Sequence, residues 1–103
     1  MRIKLENEKI AIEVNSLGAE LTSLKKLEDA LELLWQGNRE YWEDQSPLLF
    51  PIVGGLPDNQ YQLDGKVYKI SSHGFAKDCE FQLVKKDKDS SGEMFSCKYR
   101  IIV

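Results

Sequence analysis

Ser46-Pro47-Leu48-Leu49-Phe50-Pro51-Ile52-Val53-Gly54-Gly55-Leu56 and, after a hairpin-like link, Ser72-His73-Gly74-Phe75-Ala76-Lys77-Asp78 bracket the stretch around which the chain is organised. Between Ser46 and Asp78 lie all three prolines, four of the seven glycines and the only histidine of the 103 residues. Apolar residues are interrupted there by residues with special backbone properties, not by charges. Such a pattern fixes a loop or a strand end against something else. Most of the chain around it reads as strand material, which points to an all-β fold class wherever residues 19–35 are strand as well.

Inside the stretch, Leu48 to Val53 is a short apolar run. Pro51 bars it from a central strand position that needs an N–H. Pro57-Asp58-Asn59 is a turn signal. Tyr61 and Leu63 on one side of Asp64-Gly65, and Val67, Tyr68 and Ile70 on the other, predict a β-hairpin. Downstream, Cys79, Phe81 and Leu83 alternate with Glu80 and Gln82, which predicts a strand over 79–85. Lys85 to Gly92 is charged and small, hence a solvated loop. Phe95, Cys97, Tyr99 and Ile101 alternate over 94–103, a further strand.

Upstream, Ile3 and Leu5, then Ile10, Ile12 and Val14, recur with a period of two. Residues 2–6 and 9–14 therefore read as a hairpin. Residues 19–35 support two readings. Leu21, Leu24, Leu27, Leu31 and Leu34 recur at three- and four-residue spacing, as in an amphipathic helix. The alternative is a strand over 19–25, a turn at Glu28-Asp29-Ala30 and a strand over 31–35. Asn38 to Asp44 carries Tyr41 and Trp42 between charges and fits one helical turn.

Composition narrows function mainly by exclusion. A chain of 103 residues makes one domain, with a modest core. Charges of both signs are interspersed and the net charge is only −3, so there is no basic field to hold nucleic acid. The apolar runs are too short for a membrane helix. Met1 to Ile12 lacks the apolar core of a signal peptide, so the expected location is cytoplasmic. Cys79 and Cys97 are too few and too far apart for a zinc knuckle or a disulfide framework, and both are expected reduced. No phosphate loop or nucleophile elbow occurs. His73 remains, with Ser71, Ser72 and Gly74 leaving room around it. It is either a loop histidine bonded to a backbone carbonyl or a ligand-orienting residue at the rim of a cleft.

Five pieces then bear on identity. They are Leu17-Gly18-Ala19-Glu20-Leu21, Leu34-Trp35-Gln36-Gly37, Tyr41-Trp42, Leu49-Phe50-Pro51-Ile52-Val53-Gly54 and His73-Gly74-Phe75-Ala76. In content, order and spacing the chain resembles the aldose 1-epimerase (galactose mutarotase-like) superfamily, in its galactose mutarotase-related bacterial branch. It matches the N-terminal third of such a protein.

That resemblance implies an antiparallel β-sandwich, part of a larger supersandwich, with a sugar in an open cleft. It favours strands over the helix at 19–35. It implies anomer interconversion by general acid–base chemistry, a glutamate acting on the anomeric hydroxyl and a histidine on the ring oxygen. His73 matches a further, early histidine that orients the sugar, and the matching acid and base fall outside this chain. The implied substrate-binding residues are His73, Phe75, Lys77 and Trp42, with a hexose or hexose phosphate as ligand. Neither a metal nor an organic cofactor is implied. Gly55 and Lys77 stand where the related branch carries arginine, so a planar, forked donor is missing at both places. A non-catalytic carbohydrate-binding module and a structural fragment are the competing functions. The apolar ending Tyr99 to Val103 further suggests self-association through strand edges.

Overall fold

A computed structural model describes residues 1–88 and 95–101. Its elements are antiparallel strands joined by turns, with two single 3₁₀ turns at Pro57–Asn59 and Ala76–Asp78. The first sheet has four strands in sequence order: β1 (Arg2–Glu6), β2 (Ile10–Asn15), β3 (Glu20–Lys26) and β4 (Leu31–Glu32). β5 (Gln60–Leu63) and β6 (Lys66–Lys69) form a hairpin, as do β7 (Phe81–Lys88) and β8 (Phe95–Ile101).

Alternation builds β1 and β2. Ile3 lies opposite Val14 and Leu5 opposite Ile12, so these four side chains share one face. β3 extends that face in a way its leucine spacing conceals. Val14 pairs with Leu21 and Ile12 with Leu24, while Glu13 pairs with Ser23. Thr22 is the extra residue of a β-bulge, and its hydroxyl donates to the Glu13 carbonyl at 3.3 Å. In a regular strand Leu21 and Leu24, three apart, point to opposite faces. The bulge returns both to the face of Val14 and Ile12. A spacing that mimics a helix is thus a bulged strand, and the helix reading of 19–35 is replaced by β3, a turn and β4. Leu27 and Leu31, the next members of the supposed stripe, are exposed.

β4 pairs with β3 only at Lys25–Glu32 and Lys26–Leu31, so the edge of β3 from Glu20 to Ser23 needs other partners. Side chains supply them. The Thr22 carbonyl accepts from Gln36 Nε2 at 3.0 Å and from Gln45 Nε2 at 2.9 Å. Ser46 Oγ donates to the Leu21 carbonyl at 2.5 Å. Glu32 Oε1 accepts from the Ser23 hydroxyl, and Glu32 Oε2 accepts from the Leu24 N–H at 2.8 Å and the Leu34 N–H at 3.2 Å. Desolvation acts to raise the Glu32 pKa, but the Ser23 hydroxyl, the two backbone N–H groups and Lys25 together hold it below the ordinary glutamate value.

β7 begins against the β2–β3 turn. The Gly18 N–H donates to the Cys79 carbonyl at 2.7 Å, and the Phe81 N–H donates to the Ser16 carbonyl at 2.9 Å. Buried Ser16 also donates from Oγ to Glu80 Oε1 at 2.5 Å and accepts from the amino terminus at 3.0 Å. β7 continues to Lys88, beyond the expected strand end at residue 85. The start of the expected solvated loop is therefore strand, and the rest of that loop lies outside the described residues. The extreme ending at residues 102–103 lies outside them too.

Among the described residues, the buried apolar side chains are few: Leu5, Ala11, Val14, Ile70 and Ala76. The radius of gyration is 16.9 Å, against about 13 Å for a compact chain of about 100 residues. Many large apolar side chains stay exposed, including Leu33, Phe50, Val53, Leu63 and Val67. The fold is therefore an open set of antiparallel sheets whose outer faces are not covered by the described residues.

Candidate functional site

The two conspicuous segments of the sequence meet in space through their backbones. Phe50 bridges to Gly74 in parallel fashion. The Phe50 N–H donates to the His73 carbonyl at 3.2 Å. The Phe50 carbonyl accepts from Phe75 N–H at 2.9 Å and Ala76 N–H at 3.2 Å. The Phe50–Pro51 peptide bond is cis. On the far side of this junction, the His73 N–H donates to the Gly54 carbonyl at 2.9 Å. The Gly54 N–H donates to His73 Nδ1, also at 2.9 Å. Pro51 and Gly54 interrupt the apolar run where these close backbone contacts occur.

His73 lines a cavity of about 350 Å³ together with Lys77, Trp42, Asp44, Gln45, Ser46, Pro47 and Leu49. That volume lies at the small end of ligand pockets, roughly 300–1,000 Å³. Trp42 is placed by a single turn in which the Asn38 carbonyl accepts from Tyr41 N–H at 3.0 Å and Trp42 N–H at 2.9 Å. The Trp42 carbonyl in turn accepts from Trp35 Nε1 at 2.7 Å. Gln45 and Ser46 are fixed by Glu20, whose Oε2 accepts their backbone N–H groups at 3.2 and 3.0 Å. Lys77 sits on the 3₁₀ turn anchored by fully enclosed Ala76, and its Nζ lies 2.9 Å from Asp78 Oδ2.

Three of the four expected binding residues, His73, Lys77 and Trp42, therefore share one cavity. Phe75 stands outside its lining and meets Phe50 edge to face at 6.1 Å. Asp44, Gln45, Ser46, Pro47 and Leu49 supply much of the wall and were not among the expected binding residues, although Ser46 to Leu49 open the stretch around which the chain is organised. A signal was present: this run joins the Tyr41-Trp42 and Leu49-Phe50 pieces directly. The cavity offers a ring nitrogen, an ammonium, a carboxylate and an indole. Groups capable of hydrogen bonding and an aromatic side chain are thus combined in one place.

A larger cavity, about 690 Å³, lies at the other end of the first sheet between Lys9, Ile10, Leu27 and Leu33. Its inner wall is apolar and its polar groups are exposed charged side chains, so it lacks the convergent chemistry of the His73 cavity. Among the described residues, no group of three or more His, Cys, Asp or Glu is placed to hold a metal ion. Cys79 is a free, half-buried thiol, and the side chain of Cys97 lies outside the described residues. Among the described residues, no helix is long and apolar enough to cross a membrane.

Comparison with known proteins adds three findings. A family model described as aldose 1-epimerase matches residues 1–100. The plasmid-borne protein LacX of Lactococcus lactis subsp. lactis is 38% identical over 100 residues, covering 87% of this chain and 31% of its own length. The chain thus spans about a third of the curated relative it matches. Among solved structures, a galactose mutarotase-like protein from Lactobacillus casei superposes with a TM-score of 0.81 at 38% identity, over 84% of this chain and 30% of that one. A galactose mutarotase related enzyme from Lactobacillus acidophilus superposes with a TM-score of 0.80 at 34% identity, over 88% of this chain and 34% of that one.

Proposed function

The chain belongs to the aldose 1-epimerase family, and from that premise we propose that it carries the sugar-orienting part of a mutarotase-like site. The observation that supports this most directly is His73, held by Gly54 and lining one cavity with Trp42 and Lys77. In this reading a hexose lies in the cavity, its apolar C–H face against the Trp42 indole. Its oxygens bond to His73 and the neighbouring polar groups.

The proposed reaction of the whole protein is anomer interconversion. A base takes the proton of the anomeric hydroxyl while an acid protonates the ring oxygen. The bond from the anomeric carbon to the ring oxygen breaks and a carbonyl forms. Rotation and closure on the other face give the second anomer. This chain contributes orientation, which counts because catalysis needs the reacting atoms within hydrogen-bond reach. Acid and orienting histidines cannot both come from a chain with a single histidine. On its own, then, the chain is a carbohydrate-binding unit, and its exposed apolar faces are expected to drive self-association. The same reading places the protein in the cytoplasm.

The test is NMR of the chain with glucose and galactose, paired with magnetisation-transfer measurement of anomer exchange. The expected result is sugar-dependent shifts at Trp42 and His73, lost in His73→Ala, with exchange at the buffer rate. Shifts at neither residue for any sugar would overturn the binding role. Exchange above the buffer rate that His73→Ala abolishes would instead give this chain the catalysis as well.

A further inference from the structure

His73 and Gly54 exchange hydrogen bonds in both directions. The histidine backbone N–H donates to the glycine carbonyl, and the glycine N–H donates to ring Nδ1, each at 2.9 Å. Both residues have positive φ, 67° at His73 and 78° at Gly54, so this reciprocal pair depends on two left-handed positions facing each other. A ring nitrogen that accepts an N–H presents a lone pair and carries no proton. The neutral imidazole has one proton to place, and only Nε2 is left for it.

We propose that Gly54 is a positioning residue that fixes His73 as the Nε2–H tautomer, so that the nitrogen left for a ligand is a hydrogen-bond donor. The inference rests on reading the His73 cavity as a sugar site and adds the polarity of the contact. The ligand atom facing His73 presents a lone pair, as a hydroxyl or ring oxygen does. An ammonium in the same place meets an N–H and is turned away. Half-buried His73 holds this orientation before any ligand arrives, which lowers the ordering cost of binding.

The experiment is nitrogen NMR of the uniformly ¹⁵N-labelled chain at a pH where the ring is neutral. His73 is the only histidine, so its ring resonances need no assignment. The expected result is an unprotonated Nδ1, a protonated Nε2 and a scalar coupling across the hydrogen bond between Gly54 N and His73 Nδ1. A protonated Nδ1 without that coupling overturns the proposal. A second sample carries an ester at the Val53–Gly54 linkage, which replaces the Gly54 N–H by an oxygen that cannot donate. There the coupling is expected to vanish and the Nδ1 resonance to move towards that of a tautomer mixture. An unchanged resonance would overturn the proposal. The labelled wild-type spectrum decides alone should the ester fail to fold. Glucose is then added to the wild-type chain. A shift centred on Nε2 supports the donor role, and a shift centred on Nδ1 with loss of the coupling overturns it. A persistent coupling with no response to any sugar upholds the role of Gly54 and overturns the sugar reading.

Discussion

A β-carbon added to Gly74 would sit 2.1 Å from the carbonyl oxygen of Phe50. That oxygen accepts the N–H groups of Phe75 and Ala76, so it is not free to retreat. Gly74 also has φ +75°, a left-handed conformation that an L side chain adopts at a cost of about 1–2 kcal/mol. Gly74→Ala combines this cost with overpacking and is expected to destabilise the chain by about 3 kcal/mol. Gly65 is the control. It has φ +77°, but its added β-carbon meets nothing within 4 Å. Gly65→Ala is expected to cost only the conformational part, about 1 kcal/mol. Urea unfolding of both variants measures the difference, and equal losses would show that the Phe50 contact contributes nothing.

Glu20 ties the site to the sheet. Its carboxylate accepts the N–H groups of Gln45 and Ser46, two residues of the cavity wall. Glu20→Ala leaves both donors without that acceptor, at about 1–3 kcal/mol. Glu20→Gln keeps one acceptor oxygen and is expected to lose less. Amide hydrogen exchange gives the readout. Gln45 and Ser46 should exchange much faster in the alanine variant, while the β1–β2 amides keep their protection. Uniform acceleration would mean that Glu20 stabilises the whole chain and not this wall.

These residues also show what the sequence makes legible. The Asp64-Gly65 hairpin and the β1–β2 pairing follow from local rules, because turn chemistry and a period of two act over neighbouring residues. Residues 21–31 do not follow from them. The Thr22 bulge changes the face assignment between Leu21 and Leu24, and nothing local announces it. Lys85 to Lys88 join β7 because β8 supplies cross-strand partners, a pairing that outweighs charged composition. At the site, His73 and Lys77 stand out from motif content. Gln45 and Ser46 gain their place from Glu20, more than twenty residues away in sequence, as the Gln45–Glu20 and Ser46–Glu20 bonds with separations of 25 and 26 show.

Glu32 predicts a pH dependence. Its folded pKa lies below the ordinary glutamate value, despite desolvation, because the Ser23 hydroxyl, the Leu24 and Leu34 N–H groups and Lys25 favour the charged form. The folded state therefore binds fewer protons than the unfolded state across this window, and stability rises with pH there. The contribution is fully present above the unfolded glutamate value and is lost as pH falls through the lowered folded value. Urea midpoints over the acid range should show this loss in the wild type, with a shallower slope in Glu32→Gln. Identical slopes would remove Glu32 as a source.

The charges around the cavity distinguish its candidate sugars. Among the described residues, Lys77 is the one lysine or arginine of the lining, and Asp44 is an anion in the same wall. The Lys77 ammonium is already 2.9 Å from the Asp78 carboxylate. A hexose 6-phosphate brings a further negative group and finds no unpaired lysine or arginine among the described residues of this wall, whereas a neutral hexose needs only hydrogen bonds. Unit charges about 6 Å apart in water interact by roughly 0.7 kcal/mol, and phosphate carries more than one charge. Glucose is therefore expected to bind about tenfold more tightly than glucose 6-phosphate at low salt. Asp78→Asn frees Lys77 and should narrow that gap, while added salt should narrow it through screening. Isothermal titration of both sugars against wild type and Asp78→Asn measures each step. Tighter binding of the phosphate by the wild type would mean that Lys77 leaves Asp78 for the ligand, and it would assign the cavity to phosphorylated sugars.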